Sequence, residues 1–512
     1  LAALWAAVGT VVLHVVQRFR MFRAILLGVM VAALSLLVVT DIFLYVKFNI
    51  VFGQQAMHLI ANTTPEDTST FAGSYLGFGT VLLLLLAVAA VAASGILAGT
   101  GMTILARRRS FGRVERVVRW GLTAVGVVYI CVMAYSFVRY HSGREIPMLS
   151  HVTRTALGYG KMVQAQRKVA TLRTVCASAE AHGEPRFDVV FVLGESFNSK
   201  HTPLYGYDKA TTPWLSARAA DSSLVVFEDV VTVADWTHKA MMGLFGTGTG
   251  IADFGSHPLF PALFRKAGYY TALYDNEYFV GMDDTFNSDR ELSEILYDHR
   301  NAERLRYDAD LMATVDTVSA PGLYILHLYG QHFTYADRYP EGFGAFKADD
   351  YDASKFKPEQ RAMLASYDNA VLYNDSVLSQ IAEKFRDRSA VMVFISDHGE
   401  EIYDCRDYFG HGNALSAPDL SPQLRVPMTI WMTDRFMAEN PDKAAAIRGA
   451  ASRRFTSDDM PHLLLDIADI EAPSFDPSRS IINEACDTTR RRIVMESIDF
   501  DKAVADGRAS GI

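Results

Sequence analysis

Hydrophobic residues are concentrated at the start of this 512-residue chain, whose first 140 residues are largely apolar. A helix needs about 20 consecutive apolar residues to cross a bilayer. Residues 24–46, 75–105 and 117–138 meet this requirement and are predicted to be transmembrane helices. Residues 1–16 are apolar but short for a span, so we expect the remainder of a helix and an incomplete N-terminus. Residues 1–140 are therefore interpreted as a transmembrane helical domain.

The charged residues around these segments predict their orientation. Arginines crowd residues 17–23 and 107–119, whereas residues 47–74 contain one lysine and no arginine. Because positively charged loops remain in the cytoplasm, the chain after residue 139 is predicted to lie on the periplasmic side of a bacterial inner membrane. Asp41 lies within a predicted span, where a carboxylate either has a function or is hydrated near the interface.

The pattern changes after the apolar region. Residues 141–185 mix apolar and basic positions, which predicts either bridging amphipathic helices on the membrane surface or a plain helical linker. Residues 186–499 alternate between short apolar runs and helical patterns, which predicts an α/β domain with a mostly parallel sheet flanked by helices. Residues 500–512 are predicted to form a frayed, polar tail. The predicted strands are 188–193, 270–274, 323–329, 390–395 and 426–431, and the predicted helices include 259–267 and 358–385.

Composition narrows the function classes. The net charge of −9, without a basic stripe interleaved with aromatic residues, argues against a nucleic-acid partner. The chain has four cysteines and no Cys-x-x-Cys spacing. Cys131 lies in a predicted span, so at most one disulfide can form among Cys176, Cys405 and Cys486. The fold is therefore not built on disulfides.

Side chains that can bind a metal follow several of the predicted strands. Glu195, His332 and Asp397 follow three different strands, and His398 and His411 come soon after. Open α/β sheets bind ligands at the carboxyl ends of their strands. Carboxylate and imidazole groups are suitable ligands for a zinc-like ion. The alternative for the Asp397-His398 pair is that the aspartate caps the next helix while the histidine lies on the surface.

Two hydroxyls are candidates for activation by such a metal. Thr237 precedes a helical pattern at residues 240–245, so its hydroxyl is predicted at a helix N-terminus, which favours a phosphate. Metal coordination would make this hydroxyl a nucleophile at neutral pH, whereas the alternative is a simple N-cap. Ser196 follows Glu195 directly, and spacing alone does not decide between the two hydroxyls. The second glycine of the G-x-S-x-G elbow is missing, which disfavours a serine-hydrolase triad.

These motifs, in this order, resemble those of the membrane-anchored phosphoethanolamine transferases of the alkaline phosphatase/sulfatase superfamily. The resemblance extends over nearly the whole chain and implies an alkaline phosphatase/sulfatase-like catalytic domain outside the membrane. It also implies five spans, of which four, one of them incomplete, are found. The motifs are Gly194-Glu195-Ser196, Thr237, Gly330-Gln331-His332, Ser396-Asp397-His398-Gly399-Glu400 and Gly410-His411-Gly412.

The resemblance implies a role for each matching residue. It implies one or two zinc ions, with Thr237 acting both as a ligand and as the nucleophile. It also implies two histidines that bind a second metal or the phosphoryl group and transfer protons, and an outer loop that helps to bind the lipid donor. The implied zinc ligands are Glu195, Thr237, Asp397 and His398, the histidines are His332 and His411, and the donor-loop candidates are Asn62 and Glu66.

Departures from the family pattern refine the expected acceptor. Members that modify lipid A have cysteines around the nucleophile helix, and the sequence near Thr237 has none. The Gln331-His332-Phe333 version of the histidine motif is more similar to the branch that modifies the lipopolysaccharide core or another glycan. The sequence also lacks the Cys-x-Pro-x-Arg motif of sulfatases, which disfavours sulfate-ester hydrolysis.

The predicted function is transfer of phosphoethanolamine from phosphatidylethanolamine to lipopolysaccharide, on a core sugar or lipid A, through a covalent intermediate on Thr237. One alternative is a phosphoglycerol transferase acting on an envelope glycan, which the donor headgroup would distinguish. Another is a non-catalytic, membrane-tethered metal-binding protein, which would tolerate Thr237→Ala. A transporter is a weaker alternative, because the predicted spans contain few polar residues besides Asp41.

Overall fold

The computed structural model describes residues 167–277, 289–301 and 304–510, together with positions 40, 43, 44, 82 and 85. Asp41, Asn62 and Glu66 lie outside the described residues, as do nearly all residues of the predicted spans. Among the described residues, no helix is both long enough and apolar enough to cross a bilayer. The chain divides into two compact units near residue 165, and the second unit contains the α/β domain.

A seven-stranded sheet forms the centre of this domain, in the order β2-β10-β7-β1-β6-β4-β5. The five adjacent strands β7, β1, β6, β4 and β5 run parallel to one another. Strand β10 is antiparallel to both β7 and β2. Short strand pairs lie outside this sheet. The strands are β1 (Asp188–Gly194), β2 (Leu224–Val226), β3 (Asp229–Val231), β4 (Tyr270–Asp275), β5 (His299–Arg300), β6 (Gly322–His327), β7 (Ala390–Ser396), β8 (Glu401–Ile402), β9 (Phe409–Gly410), β10 (Met428–Met432), β11 (Arg454–Thr456), β12 (Ile493–Val494) and β13 (Ile498–Asp499).

Helices cover both faces of the sheet. The longest of them, α6, has 28 residues, which corresponds to about 42 Å at 1.5 Å per residue. The helices are α1 (residues 167–177), α2 (Pro213–Ala220), α3 (Thr237–Phe245), α4 (Phe260–Lys266), α5 (Arg290–Leu296), α6 (Pro358–Phe385), α7 (Ser421–Leu424), α8 (Asp434–Glu439), α9 (Pro441–Gly449), α10 (Met460–Ile467) and α11 (Phe500–Ala505).

Strand β1 is buried on both faces and divides the core into two clusters. Phe191 and its alternate neighbours pack in the cluster that also contains residues of α3, α4 and α10. Val190 and Val192 point to the opposite face, into the cluster that contains the buried side of α6. Side chains alternate between the faces of a strand, so a strand covered on both sides is apolar throughout. This explains why the sequence pattern located β1 correctly.

Each predicted strand lies within two residues of the observed one, and the end of the third strand shows why the bounds differ. The prediction extended it to Tyr329, whereas β6 ends at His327. Leu328 and Tyr329 are buried outside the strand, so their apolar character reflects tertiary packing of the following loop. The strands β2 and β5 were not predicted, and with only a few residues each they carry little pattern.

The described parts of the bridge and of the tail both pack against the domain. Helix α1 buries Val169, Leu172 and Cys176 in the core cluster that contains α4. The prediction that the chain frays after Asp499 is wrong, because Phe500 is fully buried at the start of α11. Cys176, Cys405 and Cys486 all carry free thiols.

Candidate active site

The carboxyl ends of β1 and β7 bring two buried carboxylates to the same edge of the sheet. Gly194 pairs with Ser396 in the parallel register, so Glu195 and Asp397 follow at neighbouring positions. Both side chains are completely buried. Burial of a carboxylate is costly unless cations or hydrogen-bond donors compensate it. The position at strand ends and the burial together indicate a functional site.

Glu195 contacts two hydroxyl groups. Its Oε1 accepts a hydrogen bond of 2.6 Å from Ser196 Oγ, and its Oε2 accepts one of 3.0 Å from Thr237 Oγ1. The loop that follows β6 packs closely against Glu195, because a Cβ on Gly330 would lie 3.0 Å from the backbone nitrogen and oxygen of Glu195. Gly330 also has φ of +45°, a conformation that favours glycine.

Thr237 is the first residue of α3. Trp236 occupies the N-cap position in an extended conformation, so the alternative interpretation of Thr237 as an N-cap is wrong. The Thr237 hydroxyl lies 3.0 Å from His398 Nε2 as well as from Glu195. The unpaired N–H groups at the start of a helix favour a negatively charged group. Thr237 therefore lies where a hydroxyl can meet a phosphoryl group.

The Asp397-His398 pair is held by the backbone. Asp397 Oδ1 accepts hydrogen bonds from the N–H groups of Ser196 and His398, at 3.2 and 2.7 Å. His398 Nδ1 lies 3.0 Å from the carbonyl oxygen of Gly399, to which it can donate, leaving Nε2 free to coordinate. Both side chains are completely buried, so the alternative of a helix-capping aspartate beside a surface histidine is wrong.

The donor atoms of this cluster fit a zinc ion. Asp397 Oδ2 is buried and has no hydrogen-bond partner among the described residues. It lies 3.2 Å from His398 Nε2, and Glu195 Oε1 lies 3.4 Å from the same nitrogen. Glu195, His398 and His411 each offer one ligand atom within 4.8 Å of the others. Carboxylate oxygen and imidazole nitrogen are the ligands that zinc accepts.

The electrostatics point the same way. Burial raises the pKa of Asp397 well above its usual range, and the charge of Glu195 raises it further. Burial also opposes ionisation of Glu195, but the neighbouring imidazoles of His398, His332 and His411 and the Ser196 hydroxyl outweigh it and hold the pKa of Glu195 below its usual value. Two buried carboxylates thus face each other with a deficit of positive charge, which a divalent cation would supply.

Glu400 orients His411. Glu400 is part of the Ser396–Glu400 motif, but the sequence predicted no role for it. Nδ1 of His411 lies 2.6 Å from Glu400 Oε2, and the other Glu400 oxygen accepts a hydrogen bond from Tyr335. Glu400 is completely buried, whereas the His411 side chain is 19% exposed. Because Nδ1 is engaged with Glu400, Nε2 of His411 is the nitrogen available to a substrate.

His332 follows β6 and is half-buried. Its ring stacks on that of Tyr329, with centroids 4.9 Å apart and an interplanar angle of 22°. Burial of the ring, opposed by Glu195, lowers the pKa of His332 to about 3, so the ring is neutral at physiological pH. Buried Asp308 fixes this loop by accepting hydrogen bonds of 2.8 Å from the N–H groups of Tyr329 and Gly330. Asp308 belongs to no recognisable motif, so sequence reasoning missed it.

Ser196 is placed differently from Thr237. It has φ of 55°, which is uncommon for a residue with a side chain, and it is completely buried. Its carbonyl oxygen accepts a hydrogen bond of 2.7 Å from the Tyr367 hydroxyl on α6. Its own hydroxyl donates to Glu195, and it lies 3.4 Å from His411 Nδ1. Ser196 thus follows β1 and is not part of α3, although both hydroxyls bond the Glu195 carboxylate.

Two characterised relatives are phosphoethanolamine transferases. Phosphoethanolamine transferase EptC of Escherichia coli (strain K12) is 28% identical over 328 residues, which cover 61% of this chain and 56% of EptC. Kdo(2)-lipid A phosphoethanolamine 7''-transferase of the same strain is 30% identical over 275 residues, covering 50% of this chain and 46% of that protein. The chain therefore spans about half the length of these relatives.

Solved structures share the fold. The C-terminal periplasmic domain of EptC from Escherichia coli, in complex with zinc, has a TM-score of 0.55 and 25% identity, covering 64% of this chain and 98% of that one. The integral membrane protein lipooligosaccharide phosphoethanolamine transferase A from Neisseria meningitidis has a TM-score of 0.61 and 19% identity, covering 88% of this chain and 87% of that one.

These similarities confirm the resemblance predicted from the sequence motifs, and they confirm an alkaline phosphatase/sulfatase-like α/β domain, here with a mixed sheet. Residues 188–470, more than half of the chain, match the sulfatase family. The chain therefore belongs to the sulfatase family, and its relatives include phosphoethanolamine transferases.

Proposed function

We propose that this protein is a zinc-dependent phosphoethanolamine transferase, anchored in a bacterial inner membrane with its catalytic domain in the periplasm. It takes the headgroup from phosphatidylethanolamine and transfers it to lipopolysaccharide, on a core sugar or lipid A. The names of the two relatives support the transferred group, and one of them names a lipid A acceptor. The apolar N-terminal segments support the membrane anchor, since a lipid donor does not readily leave the bilayer.

The position of Thr237 is the observation that carries this proposal. Its hydroxyl is at the first turn of α3, 3.0 Å from a buried carboxylate and 3.0 Å from an imidazole nitrogen. A structural metal site needs only its ligands and gains nothing from a hydroxyl at the start of a helix. Ser196 lacks the helix N-terminus, so we assign the nucleophile to Thr237.

Zinc fits the residues around this hydroxyl. Glu195, Thr237, Asp397 and His398 would hold the ion, and the unpartnered Asp397 Oδ2 is the clearest sign of a missing positive charge. Bound zinc would supply a Lewis acid that lowers the pKa of the hydroxyl and neutralises phosphoryl charge. His332 and His411 would bind a second metal ion or the phosphoryl group itself.

The first step forms a covalent intermediate. Thr237 Oγ1 bonds to the phosphorus of phosphatidylethanolamine while the bond from phosphorus to the diacylglycerol oxygen breaks. The proton lost by the hydroxyl is relayed through His411 or His332 to the departing oxygen. Glu400 keeps the His411 ring oriented for this transfer through its 2.6 Å contact with Nδ1. Diacylglycerol leaves, and phosphoethanolamine remains on Thr237.

The second step reverses the roles. A hydroxyl or phosphate oxygen of the acceptor attacks the same phosphorus, and the bond to Thr237 Oγ1 breaks. The histidine that protonated diacylglycerol removes the proton of the acceptor, and the threonine hydroxyl is restored. The donor lipid is expected to approach from the membrane side, where Asn62 and Glu66 are the candidate contacts.

The test is the intact mass of the full chain, incubated with phosphatidylethanolamine but no acceptor, followed by peptide mapping. A phosphoethanolamine adduct on Thr237 is expected. An adduct on Ser196 would overturn the assigned nucleophile while keeping the reaction. An adduct formed from phosphatidylglycerol alone would replace this proposal by a phosphoglycerol transferase. A zinc-loaded protein that forms no adduct with either lipid would be a non-catalytic metal-binding protein.

A further inference from the structure

Two arginines lie against one aromatic ring beside the candidate active site. The guanidinium carbon of Arg304 is 3.6 Å from the ring centroid of Tyr329, and that of Arg338 is 3.9 Å from it. The same ring stacks on His332. Gln331, two residues after Tyr329, donates its N–H to the carbonyl oxygen of Glu195 at 3.1 Å. The arginine pair is thus connected to the strand end that carries Glu195.

These two positive charges lack counterions in the described part of the chain. No carboxylate there lies within ion-pair distance of either guanidinium, and Arg338 Nε is buried without a hydrogen-bond partner. Asp308 and Asp337 influence Arg338 at longer range. Asp308 already accepts hydrogen bonds from the backbone of Tyr329 and Gly330. Within the described ranges, the positive charge of the arginine pair is therefore incompletely compensated.

Such an arrangement is unfavourable without a ligand. Like charges repel each other, and burial, together with the charge of Arg304, lowers the pKa of Arg338. Stacking of both guanidinium groups on Tyr329 offsets part of the cost. A bound oxyanion would offset the rest, because the planar guanidinium matches phosphate and carboxylate oxygens with two parallel hydrogen bonds.

We propose that Arg304 and Arg338 form a binding subsite for an oxyanion group of a substrate, separate from the phosphorus that Thr237 attacks. This inference rests on the proposed function for the identity of the substrates. The oxyanion has two possible sources: the phosphodiester of the lipid donor before it reaches Thr237, or an anionic substituent on the acceptor sugar. Both arginines would act as specificity residues, and neither would take part in bond making.

The test uses the full chain with Arg304→Gln and Arg338→Gln, and with Arg306→Gln as the matched control. Arg306 lies 5.1 Å above a different ring, that of Tyr307, and is exposed. Binding of inorganic phosphate is measured first, by calorimetry. Loss of a charge-assisted pair should weaken it about 10- to 100-fold in the first two variants and leave it unchanged in the control. Unchanged phosphate binding in both variants would overturn the subsite.

Two further assays identify the source of the oxyanion. Slower formation of the Thr237 adduct from phosphatidylethanolamine assigns the subsite to the donor. The subsite belongs to the acceptor if the adduct forms at the wild-type rate but lipopolysaccharide consumes the adduct more slowly than in the wild type. In that case, phosphatase-treated lipopolysaccharide should consume the adduct at the same rate in the variants and the wild type. Normal rates in both steps would overturn the inference. Arg338→Lys, which keeps the charge but loses the planar fork, should fold and show an intermediate effect. The proposed function and the subsite can also fail separately. If the wild-type protein forms no adduct but its phosphate binding still depends on the two arginines, the proposed function would be rejected and the subsite would be retained.

Discussion

The two sides of the candidate active site are built in different ways. The strand-end half consists of Glu195, Thr237, Asp397 and His398, of which Thr237 is the most exposed at 5%. Backbone register and backbone N–H groups hold it. The loop half consists of Tyr329, His332, Arg304 and Arg338. Contacts with the Tyr329 ring hold its side chains together, and Asp308 fixes the loop after β6.

This difference separates reaction chemistry from recognition. Groups that hold a metal or attack phosphorus must be placed to within a fraction of an ångström, and a sheet edge provides that accuracy. Groups that recognise a substrate need charge and shape more than a fixed position, and long arginine side chains on a loop provide both. The strand-end half, together with His332, should therefore govern the rate of the reaction, and Arg304 and Arg338 of the loop half should govern which substrates are used.

The largest effect is expected at the nucleophile. Thr237→Ala should abolish the covalent adduct and lower turnover on the order of 10³-fold or more, because no other hydroxyl occupies the start of α3. Thr237→Ser keeps a hydroxyl and should retain adduct formation, at a reduced rate. Intact mass and turnover measure both variants. An adduct in the alanine variant would show that the strand-end half does not contain the nucleophile.

A smaller effect is expected from the histidine of the loop half. His332→Ala should lower turnover about 10²-fold, since it removes a proton-transfer or phosphoryl-binding group. It should leave the zinc ion of the strand-end half in place, whereas Asp397→Asn should lose that ion and activity together. Elemental analysis of the purified variants measures zinc content. Complete loss of zinc in His332→Ala would mean that the two halves share one metal site.

A glycine in the strand-end half tests how rigid that half is. A Cβ on Gly399 would lie 2.2 Å from the carbonyl oxygen of Pro422, so Gly399→Ala should lower the free energy of unfolding by about 3 kcal/mol. Gly449, at the end of α9, has no neighbouring atom within 4 Å of such a Cβ. Gly449→Ala should therefore be neutral or slightly stabilising. Denaturant unfolding of both variants checks this, and equal stabilities would contradict a rigid strand-end half.

The smallest effect is expected at His462, and it distinguishes the pH dependence of stability from the pH dependence of activity. Burial lowers the pKa of His462, on α10, to about 3, whereas an unfolded histidine titrates near 6.5. Protonation thus favours the unfolded state, so this contribution is complete above about pH 6.5 and is lost as the pH falls towards 3. Between pH 7 and 5.5 this contribution to the free energy of unfolding should fall by about 1.2 kcal/mol.

The matched variant for this measurement is His462→Asn, whose side-chain oxygen can still accept the N–H of Asp476, as Nδ1 of His462 does at 3.1 Å. Its stability should be less sensitive to pH by that amount. Identical pH dependence of unfolding in both proteins would show that His462 does not titrate with folding. Activity losses at low pH that persist in this variant would then belong to the active site.

The sequence predicted the strand-end half well because that half follows from general rules. Continuous apolar runs located β1 and β7, and parallel strands place their last residues at one edge of the sheet. Helix α6 was predicted with its observed bounds, Pro358–Phe385. The loop half was predicted only in part. His332 belongs to a motif, but Arg304 meets Tyr329 only through tertiary packing, which no local pattern encodes.

The parallel pairing of β1 with β7 also determines when the site can exist. The hydrogen bond from the Ser196 N–H to the Asp397 carboxylate joins residues 201 positions apart. Contacts over such separations form late, because the entropy of closing the intervening chain must be offset first. A folding intermediate without β7 would contain Glu195 and Thr237 but neither Asp397 nor His398. The complete set of candidate zinc ligands therefore exists only in a chain in which β1 and β7 have paired.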